Sequence, residues 1–442
     1  MGRATTMPPP LMAILVAAAI ILTLTLTPSP SAAAFPSTKS SKSPPPPPTT
    51  SSSSSSAPAT SSTVFPLYGD VYPHGLYFVS MSIGEPPKPY FLDVDTGSDL
   101  TWLQCDAPCV SCSPGPHPYY RPEVSKLVAC EDPLCEALHL STTGRHDCEQ
   151  QQQQCDYEIQ YADTGSSLGV LVADAFSLRL ANTSLVRPSL AFGCGYDQQF
   201  GNPNSPSPTD GVLGLGNGKT GVVSQLKEQG ITRNVMGHCL SRKGGGFLFF
   251  GDDLVPYSKV TWAPMLRSAF RSHYSPGPAT LYFGTRPLGV KQMEVVIDSG
   301  SSYTYFGYQP YQALVSALKA ELSKKPLKEA VDDPSLPLCW RGRKPFRSPL
   351  DLRKYFTTLI LNFVNGRRAL LEMPPENYLI ISKYGNACLG ILNGTEVGLN
   401  ELNVIGDISM QDLMVVYDNE KEQIGWIRAA CDRLPRAGTS PL

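Results

Sequence analysis

The chain has 442 residues, about three times the length of a common single domain, so its size allows two domains or two fused lobes. Its 36 Lys and Arg residues nearly balance its 38 Asp and Glu residues, for a formal charge of −2. Because no segment is strongly basic, we do not expect a nucleic acid as a partner.

Residues 1–34 have the pattern of a cleaved signal peptide. Arg3 precedes an apolar stretch at residues 11–26, and the small residues 31–34 follow, as signal peptidase prefers. The stretch of 16 residues is short for a membrane span, so cleavage is favoured over a retained anchor. We therefore expect a chain that enters the secretory pathway and is not inserted in a membrane once the signal is removed.

Residues 35–63 consist mostly of Pro, Ser and Thr, with five consecutive prolines from Pro44 and six consecutive serines from Ser51. Such a composition cannot bury a hydrophobic core. We expect this segment to be disordered, either as a flexible linker or as a short pro-region.

After this segment, short apolar runs alternate with Gly, Pro, Asn and Asp, which predicts a mostly β structure. One helix is predicted over residues 311–322, because apolar residues recur there at helical spacing after Pro310. We place an N-terminal lobe at residues 64–265 and a C-terminal lobe at residues 266–442.

Twelve cysteines fit an oxidising compartment and up to six disulfides, although the sequence leaves their connectivity open. Cys109 and Cys112 have the spacing of half a zinc site, but the histidines are dispersed and a secreted chain favours disulfides, so we expect no metal. His238 beside Cys239 resembles a cysteine-protease pair, yet catalytic partners meet in space rather than in sequence. The candidate disulfide residues are Cys105, Cys109, Cys112, Cys130, Cys135, Cys148, Cys155, Cys194, Cys239, Cys339, Cys388 and Cys431.

Two Asn-x-Ser/Thr sequences, at Asn182 and Asn393, are candidate N-glycosylation sites. Such sites are used in the secretory pathway, which agrees with the predicted signal peptide and disulfides. We expect an extracellular or vacuolar protein that is a monomer.

One four-residue motif occurs three times, as Asp95-Thr96-Gly97-Ser98, as Asp298-Ser299-Gly300-Ser301 and as Asp163-Thr164-Gly165-Ser166. The copies at Asp95 and Asp298 lie 203 residues apart, and each follows an apolar run that is typical of a buried strand. The copy at Asp163 lies between two further strand-like runs, which predicts the tip of a hairpin. The first two copies are therefore the candidates for a two-lobed active site with two carboxyl groups.

Two carboxyl groups that share a site can hydrolyse a peptide bond without a nucleophilic side chain. Repulsion between like charges raises the pKa of one group while hydrogen bonds lower the pKa of the other. One group can then take a proton from an attacking water, and the other can donate a proton to the carbonyl oxygen. The glycine of each motif allows a tight turn, and the next serine can hydrogen-bond a carboxylate oxygen. No cofactor is expected.

Five segments, in this order along the chain, resemble those of pepsin-like aspartic endopeptidases. The resemblance covers about residues 77–428 and implies a bilobal β fold with a central cleft. The Cys-rich stretch at residues 105–155 resembles the plant nucellin-like or nepenthesin-type branch. The five segments are FLDVDTGSDLTW at residues 91–102, YEIQYADTGSSLG at 157–169, DGVLGLG at 210–216, VVIDSGSS at 295–302 and NVIGDI at 403–408.

The resemblance implies a role for each residue of the two motifs. Asp95 and Asp298 would form the catalytic dyad, one from each lobe. Thr96 and Ser299 would brace the two loops against each other. Ser98 and Ser301, each after a glycine, Gly97 or Gly300, would hold the outer carboxylate oxygens.

The same resemblance implies a flap over the cleft. Tyr161 matches the flap tyrosine, and Trp102 matches the tryptophan that orients it. Asp163 is then a flap residue. Residues 211–214 and 404–406 would form strands that pass behind the two catalytic loops.

Two features depart from the usual pattern of the family. Ser299 stands where Thr is commonest, but it keeps the hydroxyl that braces the loops. Residues 36–63 contain only two basic residues, Lys39 and Lys42, whereas the family's usual pro-segment is rich in them.

Further acidic residues lie beside these motifs. Asp93 is on the same face of its strand as Asp95, where it can add negative charge to the dyad, although a hydrogen-bonded structural role is favoured. Asp99, Asp210 and Asp407 are expected to be loop or strand-end residues rather than catalysts.

The sequence therefore predicts an aspartic endopeptidase in which Asp95 and Asp298 activate water against an extended polypeptide substrate. The alternative is a non-catalytic binding protein or enzyme inhibitor on the same scaffold. A third hypothesis is a cell-surface module that uses residues 35–63 as a stalk, which requires an uncleaved N-terminus.

Overall fold

The computed structural model describes residues 61–434, apart from 147, 149–152, 163–164, 200–206, 268–272, 291 and 365–367. The described residues belong to one compact unit, Ser56–Leu442. The predicted signal peptide, nearly all of the Pro/Ser/Thr-rich segment and Asp163 lie outside the described residues.

Strands dominate the described part of the chain, as the alternation of apolar and turn-forming residues predicts. Those of the first half are β1 Thr63–Asp70, β2 Leu76–Ile83, β3 Lys88–Asp95, β4 Trp102–Gln104, β5 Asp156–Gln160, β6 Ser166–Ala175, β7 Leu178–Arg179, β8 Leu185–Val186, β9 Ser189–Gln199, β10 Gly211–Gly214, β11 Val235–Leu240, β12 Gly246–Phe250 and β13 Thr261–Pro264. Those of the second half are β14 Leu266–Arg267, β15 Tyr274–Ser275, β16 Ala279–Phe283, β17 Arg286–Pro287, β18 Val295–Ile297, β19 Thr304–Phe306, β20 Lys328–Glu329, β21 Cys339–Arg341, β22 Leu359–Val364, β23 Arg368–Met373, β24 Leu379–Ile381, β25 Ala387–Leu389, β26 Ile391–Asn393, β27 Asn403–Ile405, β28 Leu413–Asp418 and β29 Gln423–Arg428. The helices are α1 Pro133–Thr142, α2 Val222–Glu228, α3 Tyr308–Leu322, α4 Pro349–Leu352 and α5 Asp407–Met410.

The largest sheet among the described residues has 13 strands, in the order β13-β29-β28-β11-β12-β1-β2-β3-β10-β4-β9-β6-β5. A second sheet, with the order β14-β15-β18-β27-β19-β26, belongs to the C-terminal half. The chain returns at its end to the first sheet, because β28 pairs antiparallel with β11. The predicted mostly β fold is confirmed, while the lobe boundary at residue 265 stays a prediction.

The two candidate catalytic loops occupy equivalent positions in these two sheets. In the first sheet, β10 pairs parallel with β3 and antiparallel with β4, so it lies between the two strands that flank the Asp95 loop. In the second sheet, β27 pairs parallel with β18 and antiparallel with β19, on either side of the Asp298 loop. Each candidate catalytic loop therefore connects two strands that lie on either side of a third strand, and this arrangement is the same in both sheets.

Alternation of buried and exposed side chains fixes the face that each strand turns to the core. Along β2, Tyr77, Val79, Met81 and Ile83 are buried, and the intervening residues are partly exposed. All six residues of β28 are buried instead, because this central strand is covered on both faces. A slip of one residue in β2 would expose its core side chains, so the register is strongly specified.

Helix α3 confirms the predicted helix but begins three residues earlier, at Tyr308 rather than at 311. Pro310 lies in its first turn, where a proline is tolerated because the first N–H groups of a helix have no partner within it. Leu314, Leu318 and Leu322 are buried on one face. The helical spacing of the apolar residues therefore gave the correct packing face.

All twelve cysteines are disulfide-bonded, including Cys109 and Cys112, which pair with each other rather than contributing to a metal site. The bond between Cys239 and Cys431 ties the C-terminal segment to β11 across 192 residues. The remaining pairs are Cys105–Cys194, Cys130–Cys148, Cys135–Cys155 and Cys339–Cys388. Among the residues that the structure describes, none of the helices is long and apolar enough to span a bilayer.

The Cys239–Cys431 bond should contribute more stability than the Cys109–Cys112 bond. A cross-link restricts the unfolded chain more when it closes a longer loop, and the two bonds span 192 and 3 residues. Replacing both Cys239 and Cys431 by Ala should lower the free energy of unfolding by about 2–5 kcal/mol in guanidinium titrations. The matched variant without Cys109 and Cys112 should lose clearly less; equal losses would contradict this account.

Candidate active site

The structure brings the two predicted catalytic loops together. Asp95 ends β3, and Asp298 directly follows β18. A Cβ atom placed on Gly97 would lie 2.6 Å from Asp298 Oδ1, and one placed on Gly300 would lie 2.5 Å from Asp95 Oδ1. Each glycine therefore leaves room for the carboxyl group of the opposite loop, which explains why a larger residue does not fit there.

Each carboxyl group is held in the same way by its own loop. The backbone N–H of Gly97 donates to Asp95 Oδ1 at 2.7 Å, and the Ser98 hydroxyl donates to Asp95 Oδ2. In the second loop, the N–H of Gly300 donates to Asp298 Oδ1 at 2.9 Å, and the Ser301 hydroxyl donates to Asp298 Oδ2 at 2.9 Å. The inner oxygens are thus bound by backbone and the outer ones by serine.

Thr96 and Ser299 cross-link the two loops by reciprocal hydrogen bonds. The Ser299 N–H donates to Thr96 Oγ1 at 2.9 Å, and the Thr96 N–H donates to Ser299 Oγ at 3.2 Å. The hydroxyl groups donate onward to backbone carbonyls, from Ser299 to Val94 at 2.7 Å and from Thr96 to Ile297 at 3.3 Å. Both side chains are buried, so these four bonds fix the separation of the loops with little competition from water.

The environment of the dyad favours a retained proton. Asp95 is 8% exposed, and burial together with the charge of Asp298 raises its pKa well above the usual range. Hydrogen bonds from Ser98 and Gly97 oppose this shift. Two carboxyl groups this close do not both ionise readily, so the pair can hold one proton between them.

The predicted flap residues are also in contact. Trp102 begins β4, Tyr161 directly follows β5, and the Trp102 indole N–H donates to the Tyr161 hydroxyl oxygen at 2.6 Å. The Tyr161 N–H donates to the Gly165 carbonyl at 2.8 Å, which closes the turn of the hairpin. Burial and the charge of Asp95 raise the pKa of Tyr161 well above its usual range, so its hydroxyl keeps its proton.

Asp407 was expected to be a loop or strand-end residue, but it begins α5 and is 1% exposed. Burial and the charges of Asp93 and Asp298 raise its pKa well above the usual range. Asp99 and Asp210 do have structural roles, since they accept hydrogen bonds from the backbone N–H groups of Gly218 at 2.8 Å and of Phe91 at 2.7 Å. Asp99 and Asp210 are buried as well, but both carboxyl oxygens of Asp407 lack a hydrogen-bond partner among the described residues.

Two residues that lie behind the cross-link between the loops, Tyr417 and His238, were not predicted from the sequence to belong to the site. The Tyr417 hydroxyl lies 3.1 Å from Nε2 of His238. Burial raises the pKa of Tyr417 well above its usual range, although the Thr96 side chain is near enough to lower it. His238 is fully buried on β11, which pairs with β28. The adjacent Cys239 drew attention to His238, but nothing in the sequence indicates that it lies next to Tyr417.

The candidate glycosylation sites both lie in turns. Asn182 is exposed between β7 and β8, and its Oδ1 accepts a hydrogen bond from the Ser184 N–H at 3.0 Å. Asn393 is partly exposed at the end of β26, and its Oδ1 accepts from the Thr395 N–H at 3.2 Å. Glycosylation at either position stays a prediction.

Comparison with known proteins identifies the family. The family models described as Xylanase inhibitor N-terminal and Xylanase inhibitor C-terminal match residues 77–252 and 284–427. An aspartic proteinase of Oryza sativa subsp. indica is 49% identical over 392 residues, which cover 87% of this chain and 94% of that protein. The chain belongs to the pepsin-like aspartic proteinase family.

Other aspartic proteinases support the same placement. Aspartic proteinase 39 of Arabidopsis thaliana is 30% identical, with 84% of this chain and 78% of that protein covered. Aspartic proteinase nepenthesin-1 of Nepenthes gracilis is 25% identical, with 81% of this chain and 78% of that protein covered. The resemblance to pepsin-like enzymes and to the plant branch is thereby confirmed.

Solved structures confirm the pepsin-like fold. Basic 7S globulin from soybean superposes with a TM-score of 0.66 at 17% identity, covering 86% of this chain and 99% of that one. Conglutin gamma from lupine seeds gives a TM-score of 0.64 at 19% identity, covering 83% and 95%. At such identities the similarity concerns the fold and not the activity.

His238 should make this pepsin-like protein less stable in acid. Burial lowers its pKa to about 3, whereas a histidine in an unfolded chain has a pKa of about 6.5. Between these pH values the unfolded chain binds a proton that the folded protein excludes. The free energy of unfolding therefore decreases as the pH falls from about 6.5 to about 3, by up to about 1.4 kcal/mol per unit.

The variant His238→Gln keeps an N–H group for Tyr417 but does not titrate, so its stability should depend less on pH in this range. Urea titrations at several pH values measure the slope. Tyr417→Phe is the matched control, because it removes the hydroxyl partner and keeps the imidazole and its slope. Equal slopes in the wild type and in His238→Gln would contradict the assignment.

Proposed function

We propose that this protein is an aspartic endopeptidase that hydrolyses peptide bonds by general acid and base catalysis between Asp95 and Asp298. The observation that carries the proposal is the pair of intact, equivalent loops whose carboxyl groups lie against each other's glycine. Membership of a family whose relatives are named aspartic proteinases supports it.

The chemistry follows from the shared proton. The ionised carboxyl group takes a proton from a water molecule as its oxygen attacks the peptide carbonyl carbon. The protonated carboxyl group donates its proton to the carbonyl oxygen. When the tetrahedral intermediate collapses, the proton taken from the water passes to the departing amine, and a hydroxyl proton of the intermediate returns to the other carboxyl group. Burial and the charge of Asp298 raise the pKa of Asp95, so the resting pair holds one proton between its two carboxyl groups.

The substrate proposed for this site is an extended polypeptide. A flap that carries Tyr161 can cover such a chain and shield the cleft from bulk water, while Trp102 holds the tyrosine hydroxyl. An extended backbone offers its N–H and carbonyl groups to the flap strands, as in other forms of strand addition. Neither a metal nor a cofactor takes part in the proposed reaction.

A second candidate function is binding to another enzyme as an inhibitor. The two family models that match the chain, one over residues 77–252 and the other over residues 284–427, are described as xylanase inhibitor domains. Such a protein needs the scaffold but no working dyad. The complete hydrogen-bond set around both carboxyl groups favours the endopeptidase, and variants of the dyad separate the two functions.

We further propose that the protein is extracellular or vacuolar and acts as a monomer. Six disulfides agree with an oxidising compartment, since such bonds are rare in the cytosol. N-terminal sequencing of the mature chain tests the removal of residues 1–34.

The variants Asp95→Asn and Asp298→Asn should each lower kcat/KM by about 10²–10⁴-fold, the usual contribution of a general acid or base. The assay is cleavage of denatured globin at acidic pH, with and without pepstatin. Asp332→Asn is the control, because Asp332 lies on the surface and pairs with Arg341. Retained activity in either dyad variant would rule out the dyad, and a folded wild type that cleaves nothing would favour the inhibitor.

Activity should be highest in acid and fall as the pH rises through the raised pKa of Asp95, because the acid of the pair is then lost. The pH profile of kcat/KM for a fluorogenic peptide measures this fall. Ser98→Ala should move the fall to higher pH, since the hydrogen bond from Ser98 lowers the pKa of Asp95. A maximum above neutral pH would contradict the proposal.

A further inference from the structure

A pocket on the surface of the N-terminal half lies well away from the dyad. It has a volume of about 490 Å³, and its lining residues include Lys88, Asp106, His117, Pro118, Tyr119 and Arg121. Lys88 begins β3 and Asp95 ends it, so about 23 Å of extended strand separates the pocket from the dyad. The pocket is therefore a second site and not a part of the catalytic loops.

The loop that forms most of the pocket wall is held at several points. The Asp106 N–H donates to the Tyr120 carbonyl at 2.8 Å, and the Ser113 N–H donates to the side-chain oxygen of Gln104 at 2.8 Å. The Tyr119 hydroxyl donates to the Ser113 carbonyl at 3.2 Å, which fixes the tyrosine ring. Because the wall is already ordered, a ligand binds there with little cost in conformational entropy.

His117 is fixed in this wall by a buried carboxyl group. Asp210 is 4% exposed, and it accepts from the His117 N–H at 3.0 Å and from the imidazole Nδ1 at 2.7 Å. The Phe91 ring lies edge-on to the imidazole, with the ring centroids 4.7 Å apart. Since Nδ1 is bound to Asp210, Nε2 is the ring nitrogen that His117 offers to a ligand.

Lys88 gives the pocket a positive charge that no neighbouring acid compensates. Arg121 pairs with Asp106 at 2.9 Å, whereas Lys88 is exposed and has no ion-pair partner within the part of the chain that the structure describes. Arg121 also keeps N–H groups available, because its two contacts are both made to the same oxygen, Asp106 Oδ2. A ligand with one negative charge can therefore be bound by both cations.

Asp106 adds a hydrogen-bond acceptor to the same pocket. Its Oδ2 is bound by Arg121, and its Oδ1 has no hydrogen-bond partner among the residues described. This carboxylate repels a simple anion, but it can accept a hydrogen bond from a ligand that also carries hydroxyl groups. Pro118 and Tyr119 add apolar walls, against which the C–H face of a sugar ring can pack.

We propose that this pocket binds an acidic sugar, whose anionic group lies between Lys88 and Arg121 and whose hydroxyl group donates to Asp106. Charge-assisted hydrogen bonds from the two cations provide most of the affinity, and Nε2 of His117 adds a polar contact. The anionic group is a carboxylate or a phosphate, since both are bound well by these donors. The inference concerns a second site and does not depend on the proposed endopeptidase function.

The test compares three sugars that differ at one carbon: glucose, glucuronate and glucose 6-phosphate. Their dissociation constants for the whole secreted protein are measured by saturation-transfer NMR at about pH 5. One anionic sugar or both should bind about tenfold more tightly than glucose, because a charge-assisted hydrogen bond is strong enough for that factor. The tighter of the two identifies the anionic group. Acetate, which has a charge but no hydroxyl group, should bind more weakly than either.

The variant Lys88→Gln should weaken binding of the tighter anionic sugar about tenfold and leave binding of glucose unchanged. Because Lys88 is exposed, the variant should unfold at the same urea concentration as the wild type. Lys259→Gln is the matched control, since Lys259 is exposed and does not line the pocket.

Asp95→Asn should bind the sugars as the wild type does, which separates this site from the dyad. A protein that cleaves no peptide but shows the expected sugar binding would contradict the endopeptidase alone. The inference would be overturned if glucose bound as tightly as both anionic sugars, if acetate bound as tightly as they do, or if Lys88→Gln kept the wild-type affinity.

Discussion

The hydrogen bonds between Thr96 and Ser299 are the constraint on which the rest of the site depends. They join loops from two sheets across 203 residues of sequence, and each is buried. Because both residues use their side-chain hydroxyl and backbone N–H groups, the relative position of the loops is defined in more than one direction. The two carboxyl groups then meet, and behind them the Tyr417 hydroxyl on β28 lies 3.1 Å from Nε2 of His238 on β11.

This arrangement concentrates acids in a buried region, which opposes folding. Asp95, Asp93 and Asp407 all have raised pKa values, and burial is the largest cause for each. Protonation in acid relieves the repulsion, so the conditions that suit the proposed reaction also suit the carboxyl cluster. His238 has the opposite tendency, because its buried imidazole resists protonation. The sheets and the disulfide between Cys239 and Cys431 supply stability that the active site itself does not.

Prediction from the sequence succeeded where local pattern carries the information. The copies of the motif at Asp95 and Asp298 follow buried strands, and helix α3 presents the face that its apolar spacing indicated. Prediction from the sequence was less successful for residues whose environment is formed by segments far away in the chain. Nothing in the sequence around Asp407 and Asp93 distinguishes them from other acidic residues. The burial of Asp407 and of one oxygen of Asp93 appears only when strands from both halves of the chain are assembled.

The sequence by itself determined the two carboxyl loops, the mostly β class and the family, because tight turns, strand alternation and motif order are properties of neighbouring residues. Only the tertiary structure decided which cysteines pair, that Tyr417 lies near Thr96 and His238, and that one oxygen of Asp93 has no hydrogen-bond partner among the described residues. Those features join segments as far apart as 321 positions, from Thr96 to Tyr417, and depend on how the sheets pack. Burial and electrostatic shifts arise from that packing and have no counterpart in a linear pattern.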